Sequence, residues 1–479
     1  MKRKDVTTDA AAQQALSKRK KCPYLDTIRP QLLDFDFEKV CSISLSDQNA
    51  YACLVCGKYF QGRGPNTHAF THSVQSFHHV FINLSTDKIY CLPDNYEVTD
   101  LSLAPIKNAL RPSFTPEYTA SLDTNRTLAQ DSFGVSYLPG FIGLNNLKKT
   151  DYISVVLQAL AHVTPLRDYF LQPDNYAAAV AKTRSPLVLR FGELIRKLWS
   201  PHNIKNTGLG GTRTPGSSVI HKVFQGMVHV TTLPAPGAAT HDGDASAVPT
   251  AVPFLYLTLD LPPTPLFKDS QGGNVIPQVP LFTVLEKFDG DKITHVLHGA
   301  TRQHKQYSID SLPPYLIFHI HRFTKNNFFT EKNPTIVNFP VKNLELKEYV
   351  ASRVPTAAEV DAMTTTELKA LLSHCGGTSA GIVDKADLVA HVHKHVAKAS
   401  QTKYNLIANI CHDSPVTIGK ETTAVNMDPL ADGTYRVHVQ NRSTDQWYEV
   451  QDLHVQETMP QLIGISESYV LIYERKDGP

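Results

Sequence analysis

The sequence predicts an α+β protein built from a small Cys/His-rich domain followed by a larger one, and three observations carry that expectation. Five of the seven cysteines fall between Cys22 and Cys91. The strong helical periodicity of the later region is confined to its start, at Tyr152–Val163 and along SPLVLRFGELIRKLW. Strand-like runs dominate from there on: FLYLTLDL, PYLIFHIHRF, PTIVNFPV, YNLIANICH, YRVHVQN, QWYEV and SYVLIYER. Helices first and strands later point to a segregated α+β arrangement rather than to alternating α/β units.

Composition narrows the function classes. At 479 residues and 42% hydrophobic content the chain is long enough for two or three packed domains. A net charge of +2 gives no overall basic field for wrapping nucleic acid. No run of about 18 apolar residues argues for a membrane span, so a soluble protein without a membrane partner is expected. Residues 1–21 carry basic clusters at Lys2–Lys4 and Lys18–Lys21 without the apolar core of a secretory signal. They form a basic arm, open to three readings: a nuclear address, a phosphate-touching segment or a solvated terminus.

The cysteines imply a metal rather than disulfides. Their number is odd, and Cys53 and Cys56 stand too close for an ordinary structural bridge, which favours a reducing compartment. Cys53-Leu-Val-Cys56 offers two thiolates from one turn, and His68, His72, His78 and His79 are available to complete a tetrahedral zinc site. The domain boundaries expected are 22–118 for this block, 119–136 for a polar linker and 137–476 for the larger domain. Residues 201–219 and 232–251, rich in Gly, Pro, Ser and Ala, are expected to be mobile loops.

In the larger domain, Val155, Val156, Ala159 and Leu160 are expected to share one face of the first helix. A third interruption, 351–402, has Thr364 and Glu367 at capping-box spacing. Leu368, Leu371 and Leu372 supply its apolar face, and a second helix runs over Lys385–Val396.

The block CLVCGKYFQGRGPNTHAFTHSVQSFHHVF resembles the ubiquitin-binding (UBP) type of zinc finger found beside many deubiquitinases. The resemblance implies that Cys53, Cys56, His72 and His78 hold one zinc. Positions of a second site hold Cys41 and His68, but also the poor ligands Ser44 and Gln61, so one zinc is expected. Such fingers capture a free C-terminal Gly-Gly tail through an arginine and flanking aromatics. Arg63 stands at the arginine position, and Leu92 stands where an aromatic is expected, a departure that counts against ubiquitin binding.

From about Leu138 to Arg475 the chain resembles the ubiquitin-specific protease fold, which is papain-like. The blocks are GLNNLKKTDYISVVLQAL for the nucleophile, LPPYLIFHIHRF and NPTIVNFPV for strands, and DGTYRVHVQN with QWYEVQDLHV for the histidine and acid. A thiol peptidase needs a thiolate, a histidine base and an orienting acid. The corresponding positions hold Asp151, Thr434 and Gln451, so all three roles are vacant and no enzyme is expected. Asn146 falls on an oxyanion-stabilising position, but a hole without a nucleophile is no peptidase. His438 and His454 are expected to be ordinary surface or loop histidines. The family's finger cysteine pairs are absent, and its further helical stretch after Trp199 is replaced by the Gly/Pro-rich loop.

The strings FDFEKVCSISLSDQNAYACLVCGKYFQGRG, LYLTLDLPPTPLFKD and IHRFTKNNFFTEKNPTIVNFP are similar to the ubiquitin-specific peptidase 39 family, inactive deubiquitinase-like proteins of the spliceosome. The resemblance implies a nuclear, non-catalytic scaffold that supports the U4/U6.U5 tri-snRNP in mRNA splicing and touches its RNA helicase and core proteins. Phe323, Lys325, Phe328 and Phe329 are candidate contacts. The 351–402 insertion lies outside the family pattern and resembles a SAP-like helical module, leaving snRNA or protein as its partner. A ubiquitin or ubiquitin-like reader without catalysis is the alternative.

Overall fold

The computed structural model describes residues 22–35, 39–131, 134–183, 186–202, 219–233, 249–263, 276–298, 301–325, 330–351, 355–374, 382, 384–413 and 433–476. The basic arm, Phe328, Phe329, Cys375 and most of 201–219 and 232–251 lie outside these residues. The chain forms two compact units, the first made of Met1–Thr119, Thr127–Ile142 and Arg190–Gly210, the second of Ala120–Arg126, Gly143–Leu189 and Gly211–Pro479. No helix among the described residues is long and apolar enough to cross a membrane.

In the first unit, β1 (Ala50–Cys53), β2 (Tyr59–Gln61), β3 (Val80–Asn83), β4 (Ile89–Cys91) and β5 (Tyr96–Glu97) form an antiparallel sheet in the order β2-β1-β3-β4-β5. Helix α1 (His68–Ser76) lies in the chain between β2 and β3, and α2 (Ala104–Leu110) follows β5. Every residue of β1 and β3 is buried, so alternation is lost there and both faces carry core. Tyr51, Cys53 and Phe81 pack in one cluster; Ala50, Ala52, Val80, Ile82, Cys22 and Cys91 pack in another. Cys22 and Cys91 are thus core residues, as a small hydrophobe would be.

The second unit is organised by α3 (Asp151–Ala161), α4 (Thr164–Leu171) and two sheets. The four-stranded sheet contains β6 (Gly226–Leu233), β7 (Thr250–Phe254), β9 (Thr294–His298) and β10 (Thr301–Ser311), in the order β9-β10-β6-β7. The eight-stranded sheet contains β8 (Leu257–Asp260), β11 (Tyr315–His321), β12 (Leu344–Glu345), β13 (Lys403–Asp413), β14 (Thr434–Gln440), β15 (Trp447–Gln451), β16 (His454–Thr458) and β17 (Ser468–Arg475). Its order is β8-β11-β17-β13-β14-β15-β16, with β12 paired to β13. All pairs are antiparallel except β8 with β11. The expected strand runs from 254 onward are borne out. Strands β6, β9 and β10 are rich in His, Gln, Thr and Lys, and their polarity concealed them.

Helix α3 corrects one expectation. Val155 and Ala159 are buried, together with Ser154 and Gln158, whereas Val156 is 43% exposed and Leu160 is half-buried. The buried face is centred between Ser154 and Val155, and Val156, about 100° beyond Val155 and about 200° from Ser154, falls outside it.

Between β12 and β13, three helices form a small cluster with its own core: α5 (Ala357–Ala362), α6 (Thr365–His374) and α7 (Lys385–Ala399). Val360, Leu368, Leu372, Leu388 and Val392 pack together there. The Thr364–Glu367 contacts are those of a capping box. A second box, Thr356 with Glu359, starts α5, which the sequence pattern did not reveal.

Candidate metal centre and the start of helix α3

The CxxC turn is shaped by backbone. Gly57 N–H donates to the Cys53 carbonyl at 2.9 Å, and Cys53 N–H donates to the Lys58 carbonyl at 2.9 Å. Gly57 sits at φ 75°, and a Cβ there would lie 2.0 Å from the Leu32 carbonyl oxygen, so only glycine fits. The turn aims Cys53 and Cys56 at His72 on α1 and His78 just before β3. Cys53 Sγ is 3.6 Å from His78 Nδ1, Cys56 Sγ is 3.5 Å from His72 Nε2, and the two ring nitrogens are 3.1 Å apart.

All four donor atoms lie within 4.8 Å of one another. A tetrahedral zinc with ordinary Zn–S and Zn–N bonds has S···N edges of about 3.5 Å and an N···N edge of about 3.3 Å. The donor set fits the ion. His72 is oriented from behind, its Nδ1 3.2 Å from Ser76 Oγ and its ring stacked on Phe60 at 4.1 Å. When bound, zinc supplies no reaction here; four protein ligands close its sphere and tie the turn to α1 and β3.

No second cluster of this kind occurs among the described residues. Ser44 instead donates its hydroxyl to Gln61 Oε1 at 2.9 Å and its N–H to Cys41 Sγ at 3.4 Å.

Arg63 is held within the finger. Its guanidinium stacks over the Tyr90 ring at 4.1 Å and donates to Asn95 Oδ1. Leu92 is fully buried. The aromatic beside Arg63 is therefore Tyr90, two residues upstream of the position where sequence reasoning looked.

In the second unit, the loop before α3 is fastened to the strand end at Asp452. Leu144 N–H donates to the Asp452 carbonyl at 2.8 Å, and Asn146 Nδ2 to Asp452 Oδ2 at 3.3 Å. A Cβ at Gly143 would lie 2.5 Å from that same carbonyl oxygen. Asn146 also accepts from Thr150 N–H at 3.0 Å, which sets the entry to the helix. Its side chain is thus engaged in loop structure.

Asp151 opens α3 at 9% exposure, and its Oδ2 accepts the Tyr435 N–H at 3.0 Å. Thr434, the residue before Tyr435, is exposed at the start of β14; Gln451 is half-buried at the end of β15. Neither bears an imidazole or a carboxylate, so nothing at these positions withdraws a proton or orients a base. Burial, with Tyr469 and Asp151 nearby, pushes the Tyr435 hydroxyl up to about 12, which keeps it neutral.

The histidines differ from expectation. His438 is 1% exposed, hence not a surface residue: it points into the sheet, with Nε2 3.1 Å from Glu449 Oε2 and Nδ1 3.8 Å from Cys411 Sγ. Cys411, His438 and Glu449 thus carry the donor order of a thiol triad, with Cys411 and His438 buried and Glu449 half-buried. Cys411 is fully buried, and that burial pushes its thiol up to about 12, leaving no thiolate to attack a substrate. His454 is exposed, as expected.

His412, which sequence reasoning missed, is buried between Tyr435 at 4.7 Å and Phe323 at 5.1 Å. A Cβ at Gly433 would lie 2.1 Å from His412 Nε2, so the glycine of DGTY is demanded by the histidine one strand away. No local sequence signal connects the two.

The zinc finger in ubiquitin-hydrolases and other proteins matches residues 41–103, and the ubiquitin carboxyl-terminal hydrolase family matches 142–213 and 206–473. Ubiquitin carboxyl-terminal hydrolase 39 of Homo sapiens is 43% identical over 95% of this chain and 80% of its own length. The chain belongs to the ubiquitin carboxyl-terminal hydrolase 39 family. Within reach of that family lie the probable mRNA-splicing protein ubp10 of Schizosaccharomyces pombe, 37% identical over 94% of this chain and 88% of that one, and the pre-mRNA-splicing factor SAD1 of Saccharomyces cerevisiae, 25% identical over 99% and 98%. Among solved structures, an essential yeast splicing factor superposes with a TM-score of 0.67 at 25% identity, covering 95% of this chain and 100% of its own. Family membership makes the finger a zinc finger, in agreement with its donor geometry.

Proposed function

We propose that this member of the hydrolase 39 family is a non-catalytic splicing factor of the nucleus, a scaffold that supports U4/U6.U5 tri-snRNP assembly or stability. The observation that carries the reading is Asp151. The residue at the nucleophile position is a carboxylate engaged by a backbone N–H, beside positions that hold Thr434 and Gln451. The splicing names of the relatives support the biological setting. The zinc is held by Cys53, Cys56, His72 and His78. The tri-snRNP proteins, its RNA helicase among them, are the partners, and snRNA is a further contact for the 1–21 arm or the 351–402 insertion, which we read as SAP-like. We take 22–118 as the finger, 119–136 as the linker and 137–476 as the protease-like domain.

Purified protein incubated with ubiquitin-tail fluorogenic substrate and diubiquitin is expected to give no turnover. Turnover abolished by Asp151→Ala would overturn the reading. Immunoprecipitation from nuclear extract is expected to recover tri-snRNP proteins and the U4, U5 and U6 RNAs.

One observation favours a second reading, a ubiquitin or ubiquitin-like reader: Arg63 stands beside an aromatic, Tyr90, the pair of residue types with which fingers of this type grip a C-terminal tail. Titration with ubiquitin bearing a free C-terminus decides it. Micromolar binding lost in Arg63→Ala would favour the reader.

A further inference from the structure

Strands β9 and β10 bring two histidines side by side on the outer face of the four-stranded sheet. Tyr307 and Ile309 of β10 pair with Val230 and Val228 of β6, and these four side chains pack on the core of the unit. Successive side chains of a strand alternate between faces, so His304 points away from that core. His295, directly opposite His304 on β9, shares its face. His295 is exposed and His304 half-buried. Their rings stand 4.6 Å apart, centroid to centroid, with the planes at 71°. Among the described residues neither ring makes a hydrogen bond or an ion pair, so both can turn a nitrogen toward one shared ion.

The same mutual geometry recurs at the metal centre of this chain. His72 and His78, two of the four donors clustered in the finger, lie with ring centroids 5.0 Å apart and planes at 72°. Their nitrogens are 3.1 Å apart, close to the N···N edge of about 3.3 Å in a zinc tetrahedron. The spacing and tilt of His295 and His304 differ from that pair by little more than a small ring rotation. Two neutral imidazoles select zinc and like transition ions, and they are poor donors for calcium or magnesium, which take oxygen ligands.

We propose that His295 and His304 form a second, exchangeable metal site, holding a zinc ion across β9 and β10. The site has two protein ligands where the finger has four, and its remaining positions are open to water. Two of the four ligands of a structural site supply roughly half its binding free energy, which gives a Kd on the order of 10 µM. Such an ion leaves on desalting, whereas the four-ligand ion of the finger stays. Its effect is local. Strand β9 lies at the edge of the sheet, in the order β9-β10-β6-β7, and the ion fastens that edge to β10 through side chains as the ladder from Thr294–Lys305 to His298–Thr301 does through the backbone.

The test uses the desalted full chain with its finger zinc in place, and zinc chloride as the probe. Equilibrium dialysis against about 100 µM zinc, roughly ten times the expected Kd, counts the ions bound. His295→Ala and His304→Ala are each expected to bind one ion fewer per chain than the parent, with a melting temperature in zinc-free buffer within about 2 °C of it. Should His304→Ala fold poorly, His295→Ala decides, because its side chain is exposed. Hydrogen exchange reads the fastening directly: zinc is expected to slow the amides of Thr294–His298 by at least about threefold in the parent and in neither variant. An unchanged ion count in His295→Ala, an ion lost in one folded variant but kept in the other, or exchange of β9 that zinc does not slow in the parent would each overturn the site.

Discussion

Replacing Asp151 by alanine tests whether this carboxylate is a structural element or a relic. At 9% exposure it accepts the Tyr435 N–H at 3.0 Å, joining the start of α3 to the start of β14. A hydrogen bond to a charged acceptor contributes about 1.5–3 kcal/mol, and a carboxylate in the first helical turn adds about 0.3–1 kcal/mol through the helix dipole. Asp151→Ala is therefore expected to destabilise the second unit by about 2–3 kcal/mol. With an unfolding entropy of about 2.1 cal/mol/K per residue over roughly 320 residues, that lowers its melting temperature by about 3–4 °C. Asp151→Asn keeps an acceptor and loses the charge, so it should fall between. Urea midpoints and differential scanning calorimetry on the full chain measure both. If Asp151→Ala, or Asp151→Cys, proves as stable as the parent, the carboxylate does not lock helix to strand and the structural explanation of its presence is wrong. Asp151→Cys is also expected to hydrolyse no ubiquitin-tail substrate, because no base stands at Thr434.

Three further outcomes follow from the geometry. Elemental analysis should find one zinc per chain, lost in Cys56→Ser and His72→Ala, and chelation should unfold the first unit at a lower temperature than the second; two zincs, or a stable metal-free finger, would contradict the four-ligand assignment. Glu449 is held down to about 2 by its bond to His438 and then by Arg436. Its folded value lies below its unfolded one, so its contribution is present above pH about 4.5 and disappears as pH falls through about 2. Glu449→Gln should then be about 1–3 kcal/mol less stable at pH 7 and show a shallower loss of stability in acid, and parallel acid profiles would count against the coupling. Because Val360, Leu368, Leu372, Leu388 and Val392 form a core of their own, replacing 355–401 by a short Gly/Ser linker should leave the melting temperature of the second unit within about 2 °C of the parent; a larger fall would show the insertion to be part of the fold.

Elements whose signal is local were legible in the chain before any folding was considered. The CxxC turn, the strands from Phe254 onward and the Thr364–Glu367 cap are each written in a few consecutive residues. Periodicity, ligand chemistry and motif spacing act over that range. Tertiary structure decided whatever depends on two distant segments meeting. Val155 and Val156 look alike in sequence, but packing buries one and exposes the other. His438 resembles any strand histidine until Cys411 and Glu449 close around it across three strands. Tyr90, rather than the residue at 92, stacks on Arg63 because β4 turns its ring toward that loop. Gly433 is fixed by His412, and Asp151 by the backbone of Tyr435, 284 residues further along the chain. Side-chain direction and burial are set by strand pairing and helix packing, which no single stretch of the chain contains.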